Sequence, residues 1–186
     1  MQYSVGVIHG RFQVLHNDHL AYLLAGMALC KKLVVGITNP DPGRTAAEAT
    51  DVQRGLQSNN PLSYYQRAQL VEAVLLEQGI ARDAFMVVPF PINLPELYRW
   101  YVPLDATFFV TIYDDWGRAK LQRFNDLGLR THVLRDVPND EKGLSASQVR
   151  QLMQQGGNWQ SLVPPAAARL LVQWDIPQRL LQLAQD

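Results

Sequence analysis

Apolar runs of strand length alternate with stretches of helical period along most of this chain. Tyr3 to His9 (YSVGVIH) reads as a buried strand. From Asp18 to Lys31 the period lengthens, with Leu20, Leu23, Leu24, Met27 and Cys30 at helix spacing. Leu33 to Thr38 (LVVGIT) predicts a second strand. Ser63 to Gln78 predicts a helix that Ser63 caps, with Leu70, Val74 and Leu75 on its inner face. Further strands are expected over Phe85–Val88, Ala106–Ile112 and Thr131–Leu134, and a helix over Trp116–Leu127 that Gly128 ends. After Ser145 the pattern is helical up to Gly156-Gly157, then again from Pro164, with an interruption at Pro177. Strands separated by helices imply parallel βαβ units. The expected fold is therefore α/β: one domain over residues 1–186, with a doubly wound parallel sheet of about five strands and a C-terminal helical tail over about 145–186.

Composition narrows the class. The chain has 186 residues, 47% hydrophobic and 18% charged, enough apolar content for a packed core. Lys+Arg and Asp+Glu are 17 each, so no basic excess points to nucleic acid. The one cysteine, Cys30, excludes an intrachain disulfide framework and a Cys-based zinc site. The apolar stretch Leu20–Cys30 is too short to span a bilayer, and the N-terminus lacks a signal-peptide pattern, so a cytoplasmic protein is expected. One long connection, Asn39 to Pro61, is rich in turn formers and carries Arg44 and Arg54. Loops of this length are usually functional or mobile.

The chemistry concentrates after the first strand, in Gly10-Arg11-Phe12-Gln13-Val14-Leu15-His16-Asn17-Asp18-His19. In open α/β sheets ligands bind beyond the carboxyl ends of strands. A helix N-terminus there offers N–H groups and a positive dipole end that suit phosphate. Gly10 permits close backbone approach, Arg11 can grip phosphate oxygens, and His16 and His19, three apart, can face the same side. Such a His pair could also bind a metal, although no third ligand is evident, or cap the turn.

This segment resembles the first signature of the His-x-Gly-His nucleotidyltransferase superfamily, and within it the archaeal-type nicotinamide-mononucleotide adenylyltransferases, whose motif reads Gly-Arg-Phe-Gln-Pro-x-His-x-Gly-His. Leu144-Ser145-Ala146-Ser147-Gln148-Val149-Arg150 is similar to the second signature, Ile-Ser-x-Thr-x-x-Arg. Asn60 to Arg67 and Gly157 to Pro164 are similar to further stretches of that branch, so the resemblance runs from Val5 to about Leu171. It implies a Rossmann-like fold and transfer of a nucleotidyl group from a nucleoside triphosphate, ATP or possibly CTP, to a small phosphorylated acceptor. Pyrophosphate leaves. It also implies Mg2+ held mainly by the phosphates rather than by protein ligands, and assembly as a homo-oligomer. No nucleic acid or membrane partner is expected.

By the same resemblance, His16, His19 and Arg150 are the catalytic candidates, and Gly10, Arg11, Phe12, Gln13, Ser145 and Ser147 the phosphate-binding ones. Three positions depart from the motif: Asp18 stands for the Gly between the histidines, Val14 for Pro, and Asn59 for an Arg found in some members, a contact that Arg44 or Arg54 could supply. After the fourth strand, Asp114-Asp115-Trp116 replaces the branch's Ser/Thr-Gly-Asn and looks more like the glycerol-phosphate-type cytidylyltransferases; Asp114 and Trp116 are candidates for the nucleotide. Tyr98 and Trp100 are candidates for the acceptor, alongside Arg44 and Arg54. The first reading is ATP with nicotinamide mononucleotide giving NAD. The alternatives are a cytidylyl- or adenylyltransferase for another phosphorylated or phosphonylated molecule, and a nucleotide-binding regulatory module without catalysis.

Overall fold

A computed structural model describes residues 1–41, 57–141 and 143–184, in two compact units, each assembled from three stretches of chain. The first unit comprises Met1–Gly10, Ala21–Thr38 and Ala81–Gly143; the second comprises Arg11–Leu20, Asn39–Ile80 and Leu144–Asp186. Arg44 and Arg54, with most of the long connection, lie outside the described residues.

The first unit holds the sheet. Its strands are β1 (Tyr3–Gly10), β2 (Cys30–Thr38), β3 (Phe85–Phe90), β4 (Thr107–Ile112) and β5 (Arg130–Asp136). All neighbouring pairs are parallel, in the order β3-β2-β1-β4-β5. Alternation along each strand sends side chains to two covered faces. Val7, Phe108 and Val110 point to a core that Phe124, of helix α3 (Asp115–Asp126), completes. Ile8 and Phe109 meet helix α1 (Asn17–Leu29) at Gly26, where a Cβ would sit 3.0 Å from Ile8 Cδ1 and 3.1 Å from Phe109 Cδ2. The missing side chain is what lets helix and sheet approach this closely. Helices therefore cover both faces, giving the doubly wound α/β arrangement that the alternating pattern predicts.

Several boundaries differ from expectation: β2 starts at Cys30, β3 runs on to Phe90 and β5 spans Arg130–Asp136. Helix α1 stops at Leu29 rather than Lys31, because Cys30 already pairs with Tyr3 in the parallel register of β1 and β2. The helix break near Pro177 is made upstream by Asp175, whose φ of 51° is left-handed. Pro177 instead sits in the first turn of α6 (Ile176–Leu183), where its missing N–H costs no hydrogen bond.

The second unit is helical. Besides α6 and the first turn of α1 it contains α2 (Tyr64–Glu77), α4 (Ala146–Gln154) and α5 (Pro165–Gln173). Helix α5 has no side-chain N-cap of its own; Glu77 of α2 replaces one, accepting from Ala166 N–H and from Arg169 at 2.9 Å each. Arg179 of α6 donates to the Pro61 carbonyl and to Gln66, fixing the start of α2. Among the described residues, no helix is long and apolar enough to cross a membrane.

Candidate active site

Residues 11–20 of the second unit begin directly after Gly10, the last residue of β1. The turn is tight: Phe12 has φ of 52°, a left-handed value that is unfavourable for an aromatic residue. Burial of the whole Phe12 side chain offsets that cost. Phe12 and Gln13 were expected to meet phosphate, but their side chains serve the frame. The Phe12 ring is fully buried and meets His19 edge-on at 5.1 Å. Gln13 exchanges two hydrogen bonds with the backbone of Leu62, at 2.8 and 2.9 Å, which ties this turn to the residues ahead of α2.

His16 closes the loop and opens α1, its carbonyl accepting the first helical bond from Leu20 N–H. His19 reaches back so that its Nδ1 accepts from the His16 N–H at 3.4 Å, a capping arrangement built with an imidazole. An accepting Nδ1 places the proton of neutral His19 on Nε2, which is then a donor. The two rings are 3.8 Å apart at 30°. Burial pulls the His16 pKa down to about 4, opposed in part by the Asp18 carboxylate. Burial, then the neighbouring His16 and Arg11, hold His19 well below the usual histidine range. Both imidazoles are thus neutral at pH 7, and a hydrogen bond to the Val14 backbone partly opposes the shift at His19.

Arg11 acts electrostatically on His19, and it acts in turn on two buried arginines, Arg67 and Arg150. Arg150, in α4, is buried and donates to the Gln13 carbonyl, to Asn59 Oδ1 at 2.6 Å and to Ser147 Oγ at 3.1 Å. Asn59, the position where an arginine was missed, is thereby a holder of the motif's own arginine. Arg67, on the inward face of α2, donates to the carbonyls of Arg11 and Asn39 at 3.0 and 2.8 Å. Burial first, and Arg11 second, lower Arg67 and Arg150 to about 10, so both keep their charge at neutral pH. Ser145 is committed to its helix: its Oγ accepts from Gln148 N–H and donates to Gln148 Oε1. That leaves Ser147, whose Oγ accepts from Arg150, as the serine with a hydroxyl proton to offer.

Arg67 was not among the expected site residues. Its signal is its spacing, since it precedes Leu70, Val71 and Val74 on the buried stripe of α2. A guanidinium on that stripe must find acceptors inside.

The remaining candidates lie in the first unit. Asp114 caps α3, accepting from Gly117 N–H at 2.9 Å. A Cβ on Gly117 would stand 3.1 Å from the Ile112 Cα, so α3 starts hard against the end of β4. Trp116 is partly exposed, with the Lys120 ammonium 4.7 Å from its ring centroid. Trp100 is 74% exposed, whereas Tyr98 is only 1% exposed and gives its hydroxyl proton to the Ile92 carbonyl. Tyr98 packs 4.6 Å from the Phe90 ring and is a core residue, not a stacking surface for an acceptor. Among the described residues, no group of three or more His, Cys, Asp or Glu side chains could hold a metal ion. The donors gathered around the His pair are cations and N–H groups, a set that fits anions and does not fit Mg2+.

Comparison with known proteins gives the chemistry a context. No protein-family model matches the chain. A phosphonoformate cytidylyltransferase of Streptomyces viridochromogenes is 50% identical over 177 residues, 95% of each chain. A nicotinamide-nucleotide adenylyltransferase of Thermococcus sibiricus is 25% identical over 182 residues, 97% of this chain and 90% of the relative. The fold matches that of a bifunctional NMN adenylyltransferase/ADP ribose pyrophosphatase from Francisella tularensis with a TM-score of 0.67 and 19% identity. That match covers 97% of this chain and 52% of the other, so the chain spans about half of that protein.

Proposed function

Because this chain belongs to the nucleotidyltransferase family, we propose that it moves a cytidylyl group from CTP to a small phosphonate of the phosphonoformate type, releasing pyrophosphate. The observation that carries this choice of substrates is the 50% identity to a phosphonoformate cytidylyltransferase along 95% of both chains. The Asp114-Asp115-Trp116 start of α3 agrees with it, since the sequence there resembles cytidylyltransferases rather than the adenylyltransferase branch. A second reading, adenylyl transfer from ATP to nicotinamide mononucleotide, draws on the 25% identical archaeal relatives.

The chemistry asks little of the protein beyond position and charge. A phosphate or phosphonate acceptor is anionic at neutral pH, phosphate monoesters having a second pKa of about 6. One of its oxygens forms a bond to the α-phosphorus as the bond from that phosphorus to the bridging oxygen breaks. The electron pair leaves on pyrophosphate, and no proton needs a base. We assign Arg11 and Arg150 to the phosphates and the N–H donors of His16 and His19 to the charge that builds at the α-phosphorus. Ser147 and the first turn of α4 would add donors. Mg2+ would arrive on the triphosphate and neutralise part of its charge there.

The test is pyrophosphate release from ATP, CTP, GTP and UTP against phosphonoformate, nicotinamide mononucleotide and other phosphorylated acceptors. Release with CTP and the phosphonate is expected. Release confined to ATP and nicotinamide mononucleotide would replace this reading with the second. Silence with every pair, while triphosphate still binds, would make the protein a regulatory module.

A further inference from the structure

Asp18 lies between the two histidines, where its negative charge would repel a triphosphate if it turned toward one. The structure turns it to a different use. Its Oδ2 accepts from the backbone N–H of Leu144 at 2.7 Å, across 126 residues of sequence. The distance is that of a charge-assisted bond. Leu144 immediately precedes Ser145, the N-cap of α4, and α4 carries Ser147 and Arg150. Arg150 in turn donates to the Gln13 carbonyl. Residues 11–19 and α4 are therefore joined at two points, by Asp18 at the N-terminal end of α4 and by Arg150 one to two turns along it.

We propose that Asp18 is a positioning residue for nucleotidyl transfer: its carboxylate docks the backbone ahead of α4 and so sets Ser147 and Arg150 for the same phosphates that the imidazoles contact. This rests on the reading that the cluster handles a triphosphate. A glycine at this position cannot form the tie. The Asp18 carboxylate serves in its place, with its charge taken up by an N–H instead of facing the ligand.

Two variants of the full chain test it, Asp18→Ala and Asp18→Asn, with three readouts: hydrogen exchange at the Leu144 amide, CTP affinity measured without acceptor, and steady-state kinetics. Asp18→Ala is expected to speed Leu144 exchange and to weaken CTP about tenfold or more, the size of one charge-assisted hydrogen bond. The KM for the acceptor should stay the same. Asp18→Asn keeps a side-chain oxygen that can accept the same bond, so it should recover most of the Leu144 protection and most of the CTP affinity. Unchanged or tighter CTP binding in Asp18→Ala would overturn the proposal. So would full CTP affinity in Asp18→Asn once Leu144 protection is lost, which keeps the test decisive even if the alanine variant fails to fold. If the wild type turns over no substrate pair, the reading of the reaction fails, while CTP affinity and Leu144 exchange still decide the role of Asp18.

Discussion

His9 in the sheet unit and the His16–His19 pair in the helical unit are held neutral by the same force, burial, yet their surroundings differ in kind. His9 stands edge-on to the rings of Phe90 and Phe124, at 5.7 and 5.4 Å. Both of its nitrogens are sealed from solvent without a hydrogen-bond partner. His19 instead has its tautomer set by the His16 N–H, and its neighbours include a second imidazole and Arg11. Burial decides that an imidazole is uncharged. A polar frame decides whether the neutral ring can be aimed. At His19 the helical unit supplies a hydrogen bond to the ring; at His9 the sheet unit supplies packing and the charge of Lys120, but no such bond.

The largest effect expected from breaking the frame is at Arg150. Arg150→Ala should lower turnover on the order of 10²–10³-fold, the usual loss for a donor aimed at transition-state charge. Because Arg150 is buried and serves the Gln13 carbonyl, the same change should also cost about 1–3 kcal/mol of stability in a urea melt.

Lowering the pH acts on both regions together. Well above pH 6.5, His9, His16 and His19 are neutral in the folded and the unfolded chain alike. As pH falls toward 4, the unfolded chain takes up protons that native His16 refuses, so stability drops across that window. His16 alone accounts for a loss on the order of 3 kcal/mol, and the depressed His9 and His19 add to it in the same direction. Triphosphate favours protonated imidazoles and should narrow the loss. Urea melts from pH 7.5 to 4.5, with and without CTP, check both points; stability that is flat or rises on acidification would contradict the burial of these rings.

The smallest effect has the opposite sign. His9→Leu should raise stability by about 1 kcal/mol, since an apolar side chain replaces a buried group that makes no hydrogen bond. It should also make the acid slope shallower. Thermal and urea melts of this variant at pH 7.5 and 5 would show both changes. A loss of stability would mean that the His9 nitrogens are satisfied in solution.

How much of this is legible along the chain follows the range of the interactions. The five strands, the glycine that ends α3 and the phosphate-suited segment after β1 depend on local pattern, and the sequence carries them. Contacts between distant segments leave no such trace. Asp18 reads only as a departure from the motif's glycine until Leu144 appears beside it, and Asn59 only as the place of an arginine found in some members until it is seen holding Arg150. Tyr98 reads equally well as a stacking ring or a core aromatic, because its short 3-10 turn (Pro95–Trp100) has no periodic signature; that turn buries it against Phe90. The end of α1 is set by strand pairing at Cys30, a tertiary demand that helix spacing through Lys31 conceals.

Transfer is expected to depend on His16 and His19 and not on His9. Side-by-side pyrophosphate-release rates for His19→Ala and His9→Leu, with CTP and phosphonoformate at saturation, test it most directly. A loss on the order of 10²-fold or more is expected for His19→Ala and less than about twofold for His9→Leu. Near-normal turnover in His19→Ala, or an equal loss in both variants, would contradict it.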